Sequence, residues 1–165
     1  FGLLWITQAA LPILRAQGHG HIIQLSSVLG VATLPTLGIY NASKFAVEAI
    51  SETLATEVKE FGINVTLVEP NGFATDWAGS SAIQSETIKA YDNVRAAFQA
   101  GMADTDSFGK PEATAEAILK LVDAANPPLR LFLGKVALPW VKEVYAQRLS
   151  EWEEWKEVSA KAHGN

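Results

Sequence analysis

Cysteine is absent from this chain of 165 residues. That excludes disulfide staples and thiolate metal sites, and it is compatible with a reducing compartment. Basic charge is scarce as well: 13 Lys and Arg stand against 18 Asp and Glu, a net charge of −5. No basic patch is concentrated enough to follow a phosphate backbone, so nucleic acid is set aside as a partner. No uninterrupted apolar run is long enough to span a bilayer, and no membrane association is expected. The apolar opening, Phe1 to Leu14, has no positive region before it and no clean small-residue cleavage site after it, so it does not read as a signal peptide. The expected location is therefore cytoplasmic. The opening also lacks an initiator methionine, a capping residue and an acidic first turn, which suggests a chain that starts partway through a gene.

What is present is an ordinary globular balance, 48% hydrophobic and 19% charged, on a length that suits one domain. Residues 1–17 read as a helix with Leu4, Ala10, Leu11 and Leu14 apolar. Pro12 inside it removes one backbone hydrogen bond, at a cost of roughly 3 kcal/mol unless the chain bends there. His21 to Ser26 and Ile63 to Val68 read as short buried strands, and Leu129 to Gly134 as a third. Residues 39–61 read as a long helix with Val47, Ile50, Leu54, Val58 and Phe61 along one stripe. Residues 71–110 are less regular, with a polar loop at Gly79-Ser80-Ser81, a short helix around 84–100 and a turn at Gly109-Lys110-Pro111. A helix over 112–125 shows Thr114, Ile118, Leu121 and Val122 on one side. The tail, 138–162, reads as a charged amphipathic helix with Trp140, Trp152 and Trp155. Strands alternating with long helices predict an α/β fold, a parallel sheet and right-handed crossovers. Three strands make a thin sheet, and one of its edges is expected to be exposed.

Ligands of open parallel sheets sit beyond the C-terminal ends of the strands. Ser26-Ser27 ends the first strand, and Pro70-Asn71-Gly72-Phe73-Ala74-Thr75 follows the second. Between them Tyr40 and Lys44, four apart, share a helix face. Free tyrosine is a poor proton donor or acceptor at neutral pH, and an ammonium close by favours the phenolate. A serine hydroxyl from the strand end can hold a carbonyl or alcohol oxygen against the phenol. That arrangement suits proton transfer to the oxygen while hydride moves at its carbon. Read alone, each piece is ordinary: Tyr40 and Lys44 a chance pair, Ser27 a turn former, Pro70-Asn71-Gly72 a plain turn.

Together they resemble the short-chain dehydrogenase/reductase family. The resemblance rests on Gly20-His21-Ile22-Ile23-Gln24-Leu25-Ser26-Ser27, on Tyr40-Asn41-Ala42-Ser43-Lys44 thirteen residues after Ser27, and on Val68 to Thr75. It covers essentially the whole chain and implies the C-terminal part of a doubly wound parallel-sheet (Rossmann) domain, residues 1–165, without its N-terminal nucleotide-binding strands. It implies an NAD(P)-dependent oxidoreductase, using NAD or NADP, that interconverts a small-molecule alcohol and carbonyl. By the same resemblance Tyr40 is the general acid/base, Ser27 positions the substrate oxygen, and Lys44 assists Tyr40 and hydrogen-bonds the nicotinamide ribose. Pro70, Gly72, Phe73 and Thr75 belong to the loop around the nicotinamide, with the Phe73 backbone meeting its carboxamide. The segments Gly109-Lys110-Pro111 and Pro127 to Leu131 resemble the 17β-hydroxysteroid-dehydrogenase-like branch. The helices 1–17 and 39–61 resemble those that pair between subunits, which implies a homodimer or homotetramer.

Three departures stand out. A glycine-rich phosphate turn is missing, since Gly18-His19-Gly20 leads into a strand and position 23 is Ile23. The family's catalytic asparagine would precede Phe1. Asn71 stands where the family loop has glycine, a mild change because asparagine tolerates a left-handed backbone. Two alternatives follow: a non-catalytic binding remnant, or an epimerase or dehydratase that reuses the Tyr and Lys pair. His19 and His21 are expected to be solvated rather than metal ligands, and Trp152 and Trp155 to pack the tail helix. Trp77 is weighed between substrate contact and plain packing.

Overall fold

The computed structural model describes residues 1–80, 82–83, 85–103 and 107–164. Helix α1 (Gly2–Gln17) runs unbroken past Pro12 and ends at Gly18 in the left-handed conformation. Strand β1 (Gly20–Leu25) is followed by a 3-10 turn at Val28–Gly30 and by helix α2 (Gly38–Glu57). Strand β2 spans Ile63–Pro70. Helix α3 (Asp92–Gly101) is shorter than the expected 84–100; Gln84, like Ser81 of the expected loop, lies outside the described residues. Helix α4 (Ala115–Val122), strand β3 (Arg130–Leu133), helix α5 (Ala137–Glu154) and helix α6 (Lys156–Lys161) complete the order.

The three strands form one parallel sheet in the order β1-β2-β3, with Ile22 beside Val65 and Val68 beside Leu131. Side chains alternate across β2, so its two faces feed different cores. Ile63 and Val65 pack with Leu54 of α2, with Val58 just beyond its end, and with Leu11 and Leu14 of α1. Val68, on the other face, packs with Leu121 of α4 and Leu133. A third cluster joins Val28, Leu29 and Val31 to Ala137 and Val141 at the start of α5. The architecture is thus α/β of the Rossmann type, as expected. The expectation that both crossovers are right-handed is not met. The chain steps the same way from β1 to β2 and from β2 to β3, yet α2 and α4 lie on opposite faces, so the two connections have opposite hands.

Two further expectations need correction. Of the expected stripe Leu54 and Val58 are buried, but Ile50 and Phe61 are partly exposed, and the buried face of α2 also carries the polar Asn41, Glu48 and Ser51. Trp152 and Trp155 do not pack: they are 61% and 66% exposed. The reason is reach. Ala137 and Val141 seat the first turns of α5, and Arg148 donates to the Val31 carbonyl at 2.8 Å. The two tryptophans lie beyond that tie.

Candidate active site

The site is assembled at the C-terminal ends of β1 and β2. Ser26 and Ser27 are buried where β1 ends. Ser27 adopts an extended backbone and its Oγ accepts the Leu29 N–H at 3.1 Å, which starts the Val28–Gly30 turn. This use of the oxygen as acceptor leaves the hydroxyl hydrogen available as a donor. Tyr40, in the first turn of α2, packs against the cluster that holds Val28 and Leu29, directly after Ser27. The Lys44 ammonium lies 5.7 Å from the Tyr40 ring centroid, so the two do share a face. It also donates to the carbonyl of Leu25 at 3.1 Å, tying α2 to the end of β1. Burial lowers the Lys44 pKa from its ordinary value, and the charge of Glu48 one turn later raises it. The phenol of Tyr40 makes no hydrogen bond to any described residue.

The loop after β2 completes the crevice. Phe73 forms a parallel bridge with Gly109: Gly109 N–H donates to Gly72 O and Ala74 N–H to Gly109 O, each at 2.9 Å. In that geometry the N–H and C=O of Phe73 itself point away from Gly109. Neither has a partner among the described residues. A carboxamide needs one acceptor and one donor, so this backbone pair fits the nicotinamide end of a dinucleotide. Thr75 Oγ1 accepts the Trp77 N–H at 3.4 Å and starts a short turn, Asp76–Ala78. Trp77 is half exposed and meets the Tyr40 ring edge-on, with centroids 5.2 Å apart.

Asn71 behaves differently from expectation. It is not left-handed; Thr36 is the non-glycine residue with positive φ among those described. Its Nδ2 instead donates to Gly72 O at 2.8 Å and Ser107 O at 3.4 Å. Sequence reading also passed over Gly134, with φ of +100°, where an added Cβ would fall 1.5 Å from Asn71 Oδ1. His21 is not simply solvated: its Nε2 lies 2.9 Å from Thr66 Oγ1, and burial lowers its pKa. No helix among the described residues is long and apolar enough to cross a membrane.

A parallel sheet clothed by helices on both faces, with polar loops gathered beyond its strand ends, defines the class of Rossmann-type α/β proteins. Within that class, residues 1–86 match the protein family described as short chain dehydrogenase. The chain belongs to the short-chain dehydrogenase/reductase family. It is 36% identical to Oxidoreductase BOA17 of Botryotinia fuckeliana over 160 residues, 96% of this chain and 58% of that protein. A crystal structure of a short-chain dehydrogenase from Streptomyces avermitilis superposes with a TM-score of 0.85 at 36% identity, covering 98% of this chain and 59% of that one. A short chain dehydrogenase from Burkholderia cenocepacia, in complex with NADP, shares the fold with a TM-score of 0.66 at 19% identity, over 93% of this chain and 54% of that one. The chain thus spans a little over half the length of these relatives.

Proposed function

We propose that the intact protein is an NAD(P)-dependent oxidoreductase that interconverts an alcohol and a carbonyl, and that this chain carries its reaction centre. The observation that carries this reading is the Lys44 ammonium, tied to the end of β1 through Leu25 O and lying 5.7 Å from the Tyr40 ring. A bound nicotinamide dinucleotide, NAD or NADP, supplies or takes the hydride. The proton transfer falls to side chains of this chain. Tyr40 passes its phenolic proton to the substrate oxygen in reduction and takes it back in oxidation. The positive charge of Lys44 favours negative charge developing on the Tyr40 oxygen. Ser27 turns its hydroxyl hydrogen to the substrate oxygen and holds it within reach of the phenol. The N–H and C=O of Phe73 would hold the carboxamide, Pro70 and Gly72 shape the loop around it, and Thr75 borders it.

Trp77 supports an apolar wall for the substrate, because it stands half exposed against the edge of Tyr40. The substrate is a small molecule that bears an alcohol or a carbonyl. The test is Tyr40→Phe in the intact enzyme. Removing the hydroxyl should lower kcat by about 10² to 10⁴-fold, the usual worth of a general acid/base, with cofactor affinity little changed. Wild-type turnover in Tyr40→Phe would overturn the reading.

A further inference from the structure

Beneath the site lies a set of buried charges that the proposed chemistry does not use. Glu48 of α2 is 4% exposed and Glu69, next to Pro70 at the end of β2, is 0% exposed. Arg130 of β3 reaches both: its Nε is 3.0 Å from Glu48 Oε2 and 3.3 Å from Glu69 Oε1. Its Nη2 holds the more exposed Glu52 of α2 at 2.7 Å. The turn after Ser27 closes over the same group. A Cβ on Gly30 would stand 2.8 Å from both Glu48 Cγ and Ser26 Oγ, so only glycine lets the turn settle there. One cluster therefore touches every segment that bears a site residue: the turn beside Ser27, the helix of Tyr40 and Lys44, and the first residue of the Pro70–Thr75 loop.

We propose that Glu48, Glu69 and Arg130 are positioning residues that hold these three segments in one register, with Glu69 carried as the neutral acid. The inference deepens the oxidoreductase reading and rests on it for its effect on turnover. Charge balance supports it. Three carboxylates face one guanidinium, and a buried carboxylate left without a partner is costly. The Arg130 Nε–H is taken by Glu48 Oε2, and neither oxygen of Glu69 accepts a hydrogen bond. Glu48 Oε1 is likewise buried and unpaired. A proton on Glu69, given to Glu48, satisfies atoms on both acids at once. Burial first, and then the charge of Glu48, push Glu69 from an ordinary 4.5 up to about 8, although Arg130 opposes the shift. The charged groups that act on Glu69 among the described residues are Glu48 of α2 and Arg130 of β3; Arg130 in turn holds Glu52, and Glu48 acts on Lys44 one turn before it. The hydroxyls of Ser26, at the end of β1, and Ser51, on α2, are also buried with no hydrogen-bond partner among the described residues.

The sign for stability follows from the direction of the shift. Between about pH 4.5 and 8 the unfolded chain has lost the Glu69 proton and the folded chain keeps it. Folding stability from this group is therefore complete below 4.5, falls through that window and is gone above about 8. The experiment uses the intact enzyme with Glu69→Ala and Glu69→Gln. Glu69→Ala should lower kcat by about 10 to 100-fold, as sub-ångström misplacement of reacting groups does, with KM changing far less. Glu69→Gln, whose amide donates to Glu48 as the acid does, should recover most of that loss. In urea titrations from pH 5 to pH 9, wild type should lose stability as pH rises and Glu69→Gln should not. Turnover of Glu69→Ala at the wild-type rate, or a wild-type pH slope in Glu69→Gln, overturns the proposal. The unfolding profile needs no turnover, so a failure of the oxidoreductase reading would show in Tyr40→Phe and leave this result intact.

Discussion

At the scale of single residues, the crevice depends on pairs whose members lie far apart in sequence. Gly134 and Asn71 are one such pair. The side chain of Asn71 occupies the space where residue 134 would carry its Cβ, and Gly134 has a backbone that other residues adopt only under strain. Gly134→Ala combines a left-handed penalty of about 1–3 kcal/mol with a steric collision. It should lower the unfolding free energy of the intact protein by about 2–4 kcal/mol, measured by urea titration. Adding Asn71→Gly should return the steric part, and a double-mutant cycle should find strong coupling. Neither residue announces this by itself. The sequence marks Asn71 as a substitution within a loop, but the reason for it lies on a strand end 63 positions later.

At the scale of elements, helix α2 shows how a chemical demand can override a hydrophobic pattern. Its apolar stripe predicts one buried face, yet the turns before Leu54 bury Asn41, Glu48 and Ser51. The Asn41 amide donates to Leu34 O at 2.9 Å, which anchors the loop before Tyr40. Only lower down do Leu54 and Val58 join an apolar core. The helix is thus apolar where it packs on α1 and β2, and polar where it borders the crevice. The tail is the opposite case: α5 is amphipathic by pattern but leaves its last turns in solvent. Because Trp152 and Trp155 touch no core cluster, Trp152→Ser and Trp155→Ser should each change stability by less than about 0.5 kcal/mol. A larger loss in thermal melts would mean that these side chains are covered in the intact protein.

At the scale of the whole molecule, the sheet is open on the β1 side. Among the described residues β1 pairs only with β2, and Leu25 is 66% exposed on its uncovered face. The outer surface of α1 also presents Trp5, Ile6 and Ile13, and a groove lined by Leu4, Leu11, Ile50 and Leu54 runs between α1 and α2. Patches of this kind on a globular protein mark contact surfaces. This agrees with the proposed pairing of these two helices between subunits in a homodimer or homotetramer. A charge placed on the patch should break such pairing: Trp5→Glu in the intact protein should reduce the mass found by light scattering to that of a smaller species, with the circular dichroism unchanged. An unchanged mass would move the interface elsewhere.

The sequence by itself determined the class of fold and the chemistry worth looking for. Alternating apolar strands and long helices dictate a parallel α/β sheet, because each element must bury its apolar face against another. A tyrosine and a lysine four apart share a helix face whatever else the chain does. Only the tertiary structure decided what stands beside them. The turn after Ser27 packs on Tyr40, Lys44 reaches the Leu25 carbonyl, and Phe73 keeps an N–H and C=O without partners among the described residues because Gly109 takes its neighbours. The meeting of Glu48, Glu69 and Arg130 was equally out of sight, since three charged residues on a helix and two strands read as solvated surface until the register of the sheet brings them together. Local periodicity sets which residues share one element's face; the protonation and pairing of a buried group depend on the low-dielectric surroundings that distant segments supply.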